Sequence, residues 1–256
     1  MAEIAEWARQ RPSGVRLEWS SAGAAALGPE CACVVVVDVL SFTTSVSVAV
    51  EAGTRVLPYP WRDGGAAQFA ARHGAELAVG RRAVSERQPW SLSPAALRSA
   101  PVVERLVLPS PNGSAIAAAV SGVPVVAACL RNAGAVAGWI AGRGWGTERQ
   151  PIALIAAGER WPGRDVLRPA VEDWLGAGAV AAALARGGAG PLSAEAHAAA
   201  AAHDGIADIA ALIRDCASGR ELSQGGFAQD VAVATELDSS GVVPVLTDGA
   251  FVDAAR

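Results

Sequence analysis

Four consecutive valines, Val34-Val35-Val36-Val37, followed at once by Asp38, constrain this chain more than any other feature. Successive side chains of a strand point to opposite faces, so a run with no polar interruption needs apolar cover on both sides. Such a strand belongs in a sheet sandwiched between helices. After it, Thr43 and Thr44 offer capping hydroxyls, Ser45 to Ala52 reads as a short helix closed by Gly53, and Arg55 to Tyr59 reads as the next strand. That is a βαβ unit.

The alternation continues along the chain. Strands are predicted at Glu76 to Val79, Arg105 to Leu108, Val123 to Ala128, Ile152 to Ala156 and Val242 to Leu246. Helices are predicted at Gly65 to His73, Ser114 to Val120, Ala133 to Ala141, Ala170 to Arg186, Ala194 to Ala202 and, capped by Asp204, Ile206 to Cys216. This order is that of the α/β class. Pro244 has no N–H to give to a ladder, which predicts that the last strand lies at an edge or begins beside a bulge. Arg81 to Ser99, rich in Arg, Ser and Pro, reads as a long surface excursion. At 256 residues the chain suits one domain, 1–256, or two closely packed halves.

Composition narrows the function. All 21 basic residues are arginines, which excludes a Schiff-base lysine and a Walker A lysine. A formal net charge of −4 lacks the basic footprint of a nucleic-acid binder or a polybasic membrane patch, so a small molecule is the expected partner. Glu3, Glu6, Arg9, Arg11, Arg16 and Glu18 crowd the first 20 residues, and the apolar runs are short, so neither a signal peptide nor a membrane span is expected. Cys31, Cys33, Cys129 and Cys216 form no CxxC pair and read as buried thiols in a reducing, cytoplasmic compartment.

In open α/β sheets ligands gather beyond the carboxyl ends of strands. Three polar turns stand there: Asp38 with Thr43 and Thr44, Ser110-Pro111-Asn112-Gly113-Ser114, and Arg131-Asn132. In the middle turn, glycine permits close approach of the backbone and the following helix start offers free N–H groups to a phosphate. Arg131 would add a bidentate fork. Glu172 and Asp173 open a helix, where carboxylates offset the macrodipole and are also hard ligands suited to Mg²⁺. Each feature also has a plain structural reading as a turn cap or solvated helix face, and their shared placement after strands favours the functional one.

Rival motifs fail. Gly176-Ala177-Gly178-Ala179-Val180-Ala181 matches GxGxxA but lies inside a predicted helix, without the strand that a dinucleotide fingerprint requires. GxSxG is absent, and His73, His197 and His203 fit neither a triad nor HExxH. Trp161 is the tryptophan suited to line a pocket. Trp61, Trp90 and Trp145 fall in predicted loops without a role.

These motifs, in order, resemble the 2-phosphosulfolactate phosphatase family, the ComB-like proteins. The matching elements are Val35 to Leu40 followed by Thr43-Thr44, then Pro111-Asn112-Gly113-Ser114, Arg131-Asn132-Ala133, Glu172-Asp173 with Gly176 and Gly178, and Asp230 with Val243-Pro244. The resemblance implies a three-layer α/β/α fold with a mostly buried mixed sheet. It also implies a Mg²⁺-dependent phosphatase of a small phosphorylated 2-hydroxy acid, as on the route to coenzyme M. On that reading Asp38, Glu172 and Asp173 are catalytic and hold Mg²⁺. Thr43, Thr44, Asn112, Gly113, Ser114, Arg131 and Asn132 bind the phosphate, and whether Asp38 acts as ligand, nucleophile or base stays open. Ser41 stands where the family pattern often has arginine, with Arg131, Arg160, Arg164 and Arg168 as the expected substitutes. The alternative is a phosphoacid sensor without turnover. A homodimer is an option.

Overall fold

The computed structural model describes residues 4–60 and 64–255, so Trp61 lies outside the described residues. In chain order the elements are β1 (Val15–Trp19), α1 (Ser20–Leu27), β2 (Cys33–Val37), α2 (Phe42–Glu51), β3 (Arg55–Pro60), α3 (Ala66–His73), β4 (Glu76–Leu77), α4 (Pro94–Ser99), β5 (Arg105–Ser110) and α5 (Gly113–Ala119). There follow β6 (Val125–Ala128), α6 (Ala133–Ala141), β7 (Ile152–Ala156), the short hairpin β8 (Glu159–Arg160) and β9 (Leu167–Arg168), and α7 (Val171–Arg186). The chain closes with α8 (Ala194–Gly205), α9 (Ile209–Asp215), α10 (Ala217–Gln224), α11 (Ala228–Ala234), β10 (Pro244–Thr247) and β11 (Ala250–Asp253).

Among the described residues, nine strands form one mixed sheet in the order β1-β7-β2-β6-β10-β11-β3-β5-β4. Two parallel blocks, β1-β7-β2-β6 and β3-β5-β4, are joined by the antiparallel hairpin β10-β11. All five residues of β2 are buried, as the valine run requires. Val35 and Val37 pack with α6, α7, α8 and α9, whereas Val34 and Val36 pack with α1, α2 and α5. The sheet is therefore the middle of three layers.

The two blocks run in opposite directions along the ladder, yet the loops after β2 and β5 meet. Five strand-to-strand steps separate these strands, and a twist of about 20–25° per step turns their axes by roughly 100–125°. The start of α5 reaches Asp38 through the Gly113 N–H, a meeting that does not need both strands to end at one rim.

Several expectations are corrected. β10 is internal, between β6 and β11. Pro244 is tolerated because it heads the strand, where no ladder N–H is needed, and β10 meets β6 only at Val245. The helix expected over Ile206 to Cys216 begins at Ile209 and is capped by Asp208, whose Oδ1 accepts the Ala211 N–H at 2.8 Å, because Asp204 lies inside α8 beside Arg186 and His203. The excursion from Arg81 to Ser99 is anchored: Ser91 and Ser93 are buried, and α4 packs on α2 and α11. Gly176 and Gly178 lie within α7, as packing glycines. A Cβ at Gly178 would fall 2.2 Å from the Ala199 carbonyl oxygen, so glycine sets the contact between α7 and α8.

Candidate active site

Asp38 follows β2 and is 4% exposed. Its Oδ1 accepts the Phe42 N–H at 3.1 Å and its Oδ2 accepts the Gly113 N–H at 2.8 Å, so one carboxylate ties its own loop to the loop after β5. A Cβ on residue 113 would lie 2.3 Å from the Phe42 ring and 2.7 Å from Asp38 Oδ2, an approach only glycine allows.

Three more acids gather around it. Glu172 and Asp173, at the start of α7, point inward and are buried, so the solvated-face reading of this pair is excluded. Asp173 Oδ1 accepts the Val39 N–H at 2.7 Å and Oδ2 the Gly158 N–H at 2.8 Å, clamping the loops after β2 and β7 together. Glu172 Oε2 accepts the Cys216 thiol at 3.3 Å, which gives that half-buried cysteine a partner in the site. Glu159, from β8, accepts the Asn112 side-chain amide at 2.9 Å.

Electrostatics confirm that these groups face one another. Burial is the largest cause pushing Asp38 up to about 6; the Phe42 and Gly113 N–H groups oppose it, Glu172 adds repulsion, and Arg81 draws the value back. Burial, followed by the Asp38 charge, pushes Glu159 up to about 7 against the Asn112 amide and Arg168. Asp173 is also raised, by burial first and then by Asp38 and Glu172. Arg81 and Arg168 thus act on this group of carboxylates as the nearby positive charges, Arg81 through its bond to Ser41 and Arg168 while donating to Ser218 Oγ.

A cavity of about 290 Å³ opens beside this group, with Ser20, Asn112, Glu159, Arg160 and Asp165 in its wall. Arg160 is paired with Asp165 there. Trp161 is exposed and does not line it.

The polar groups of the expected phosphate cradle have partners within the protein. Thr43 Oγ1 donates to the Asp38 carbonyl at 2.8 Å and accepts the Asp38 N–H at 3.0 Å, and Thr44 Oγ1 donates to the Val39 carbonyl at 2.8 Å. Ser114 Oγ donates to the Leu108 carbonyl at 2.9 Å, and the Gly113 N–H is held by Asp38. Arg131, 2% exposed, donates to Ser47, Glu51 and Glu236. Asn132 accepts the Cys129 N–H and donates to the Ala127 and Val242 carbonyls. Arg131 and Asn132 therefore brace the turn after β6. Of the expected cradle, the Asn112 side chain reaches the acids and the cavity. Among the described residues no three His, Cys, Asp or Glu side chains are grouped so as to hold an ion by themselves.

With this geometry established, a family comparison decides the class. The family model described as 2-phosphosulpholactate phosphatase matches residues 25–249, which include every acid and both arginines of the site. The chain belongs to the 2-phosphosulpholactate phosphatase family. It is accordingly a phosphatase, a hydrolase of phosphoric monoesters, whose substrate is a small phosphorylated molecule. No curated protein matches the chain. Among the described residues no helix is long and apolar enough to cross a membrane.

Two groups of the phosphatase's site were missed in the sequence. Glu159 stands three residues after β7, where a polar residue beyond an apolar run is the very signal used for Asp38. Arg81 carries the same signal, two residues beyond the predicted strand Glu76 to Val79, but it opens the excursion after β4 and its partners are distant in sequence. Its Nη2 donates to Ser41 Oγ at 2.6 Å, so the guanidinium beside Ser41 comes from Arg81 and not from the four arginines expected.

Proposed function

We propose that this phosphatase is Mg²⁺-dependent and hydrolyses a small phosphorylated 2-hydroxy acid at the Asp38–Glu159–Glu172 acids. The observation that carries the reading is the gathering of three buried carboxylates, Asp38, Glu172 and Asp173, with the half-buried Glu159 beside an open cavity and with Arg81 bonded to Ser41 in the Asp38 loop. Repulsion among such acids is relieved by a hard cation.

The donor set fits Mg²⁺ chemically. This ion keeps several waters and is commonly bound through one or two carboxylates plus substrate phosphate, so three converging side chains are not required. Asp38 and Glu172 would hold it: each Asp38 oxygen carries a single N–H bond and so retains a lone pair. Asp173, whose oxygens likewise each accept one backbone N–H, clamps the loops after β2 and β7 and would add a further donor to the ion. When bound, the ion supplies neutralisation of charge on the phosphoryl oxygens.

The chain's own residues account for orientation and proton transfer. Arg168, which donates to Ser218 Oγ at 3.2 Å and whose charge acts on Glu159, would supply positive charge to the phosphoryl oxygens. Asn112 holds Glu159 Oε2, leaving Oε1 to take a proton from the attacking water as the new P–O bond forms and the ester P–O bond breaks. The leaving alkoxide takes its proton from solvent, and the products are inorganic phosphate and the free hydroxy acid. The four cysteines are free thiols, in keeping with a reducing cytoplasm.

Phosphate release from 2-phospholactate and 2-phosphosulfolactate, with Mg²⁺ and then with chelator, tests the reading. Release that stops with chelator and returns with Mg²⁺ is expected. Release indifferent to chelator, or none from either ester, contradicts it.

A further inference from the structure

A second cavity, of about 510 Å³, lies between the Arg81–Ala83 turn and α10, with Arg81, Arg82, Glu221, Leu222 and Phe227 in its wall. Arg81 is held rigidly at its inner end. Its Nε donates to Asp230 Oδ2 at 2.9 Å and its Nη2 to Ser41 Oγ at 2.6 Å, and its guanidinium carbon lies 5.7 Å from the centre of the Phe227 ring. Asp230 is itself 1% exposed and fixed by Ser93 Oγ and the Ala95 N–H. The same guanidinium acts on Asp38, so it joins this cavity to the acids of the site.

Nothing among the described residues bonds Arg81 Nη1 or pairs with the exposed Arg82 guanidinium. Glu221, the acid in the wall, is exposed. A fork held in place by a buried acid and a hydroxyl, with donors left over and a second arginine beside it, is a receptor for a planar anion. Its bond to Ser41 sets it three residues along the loop from Asp38, where a substrate with a second negative group would otherwise meet only acids.

We propose that Arg81, assisted by Arg82, binds the carboxylate or similar acid tail of the phosphorylated substrate in this cavity, and so sets the preference for phosphorylated acids over plain phosphate esters. The proposal rests on the phosphatase reading of the Asp38 site. It differs from binding of the phosphoryl group itself, for which Arg81 would serve every ester equally.

Steady-state kinetics of the full chain with Mg²⁺ on 2-phospholactate and on glycerol 2-phosphate, which lacks the acid, separates these cases. Arg81→Ala should lower kcat/KM on both esters through its contact with the Asp38 loop, and should lower the ratio of 2-phospholactate to glycerol 2-phosphate by a further factor of about ten to a hundred. Arg82→Ala, at an exposed position, should act in the same direction by about two- to fivefold. Arg81→Lys keeps the charge but not the fork and should fall between wild type and Arg81→Ala. If Arg81→Ala melts early, the Arg82→Ala and Arg81→Lys kcat/KM ratios decide. Equal losses on both esters, or no change in their ratio, overturn the assignment of Arg81 and leave the phosphatase reading standing. A wild-type protein that hydrolyses neither ester overturns that reading and this proposal with it.

Discussion

Two turns leave neighbouring strands side by side, since β2 and β6 are parallel and Val37 pairs with Ala128. Both are polar, both precede a helix, and both look equally suited to bind phosphate. Their fates differ because of where their partners come from. Asn132 satisfies its amide within its own turn and at Val242, and Arg131 is neutralised by Glu51 and Glu236, so the turn after β6 is closed. Asp38 is bonded by N–H groups yet stands among further acids, and among the described residues no arginine is ion-paired with it as Glu51 and Glu236 are with Arg131. A polar residue after a strand marks a site when its charge is left unbalanced, and a brace when it is not.

The sharpest way to break this contrast is Glu159→Gln. It should lower kcat about 10²- to 10⁴-fold, the range for loss of a general base. A base works only when ionised, so wild-type activity should rise with pH through about 7, and that limb should vanish in Glu159→Gln. Retention of a wild-type pH–rate profile in the variant removes Glu159 from the chemistry.

The opposite pattern is expected at the closed turn. Arg131→Met should destabilise by about 2–3 kcal/mol, since Glu51 and Glu236 lose their buried partner but keep some access to water. Its kcat per folded molecule should match wild type; urea melts and active-site-normalised rates check both halves. A variant that is stable but slow would reopen Arg131 as a substrate ligand.

A smaller effect lies in the pH dependence of stability. Glu159 rises from 4.5 to about 7 on folding, so between those values the native state binds more protons than the unfolded chain. Stability therefore falls as pH rises through that window, by on the order of 1–2 kcal/mol for this partly accessible group. Melting at pH 5.5 should exceed melting at pH 8, and Glu159→Gln should narrow the gap. Added Mg²⁺ should raise Tm more at pH 8, where the acids are ionised. Equal Mg²⁺ shifts at both pH values speak against a site built from these carboxylates.

Much of the frame was legible in the chain because apolar runs leave little choice: β2, β7 and α6 fall where their residues predict, and Asp38, Glu172 and Asp173 do come together. The division of labour among polar residues was not. Whether Thr43 or Ser114 turns its hydroxyl to substrate or to a carbonyl five or six residues back depends on how tightly the turn closes. The Arg81 contact joins residues 40 apart in sequence and depends on how the excursion after β4 folds back, which no local pattern reports.

Asp38 joins every part of the proposed site, and its carboxylate is the most direct point of attack. Phosphate release from 2-phospholactate by Asp38→Asn, at saturating Mg²⁺ and with the fold verified by its melting curve, should drop at least about 10³-fold. Turnover by a folded Asp38→Asn protein at the wild-type rate would contradict the account.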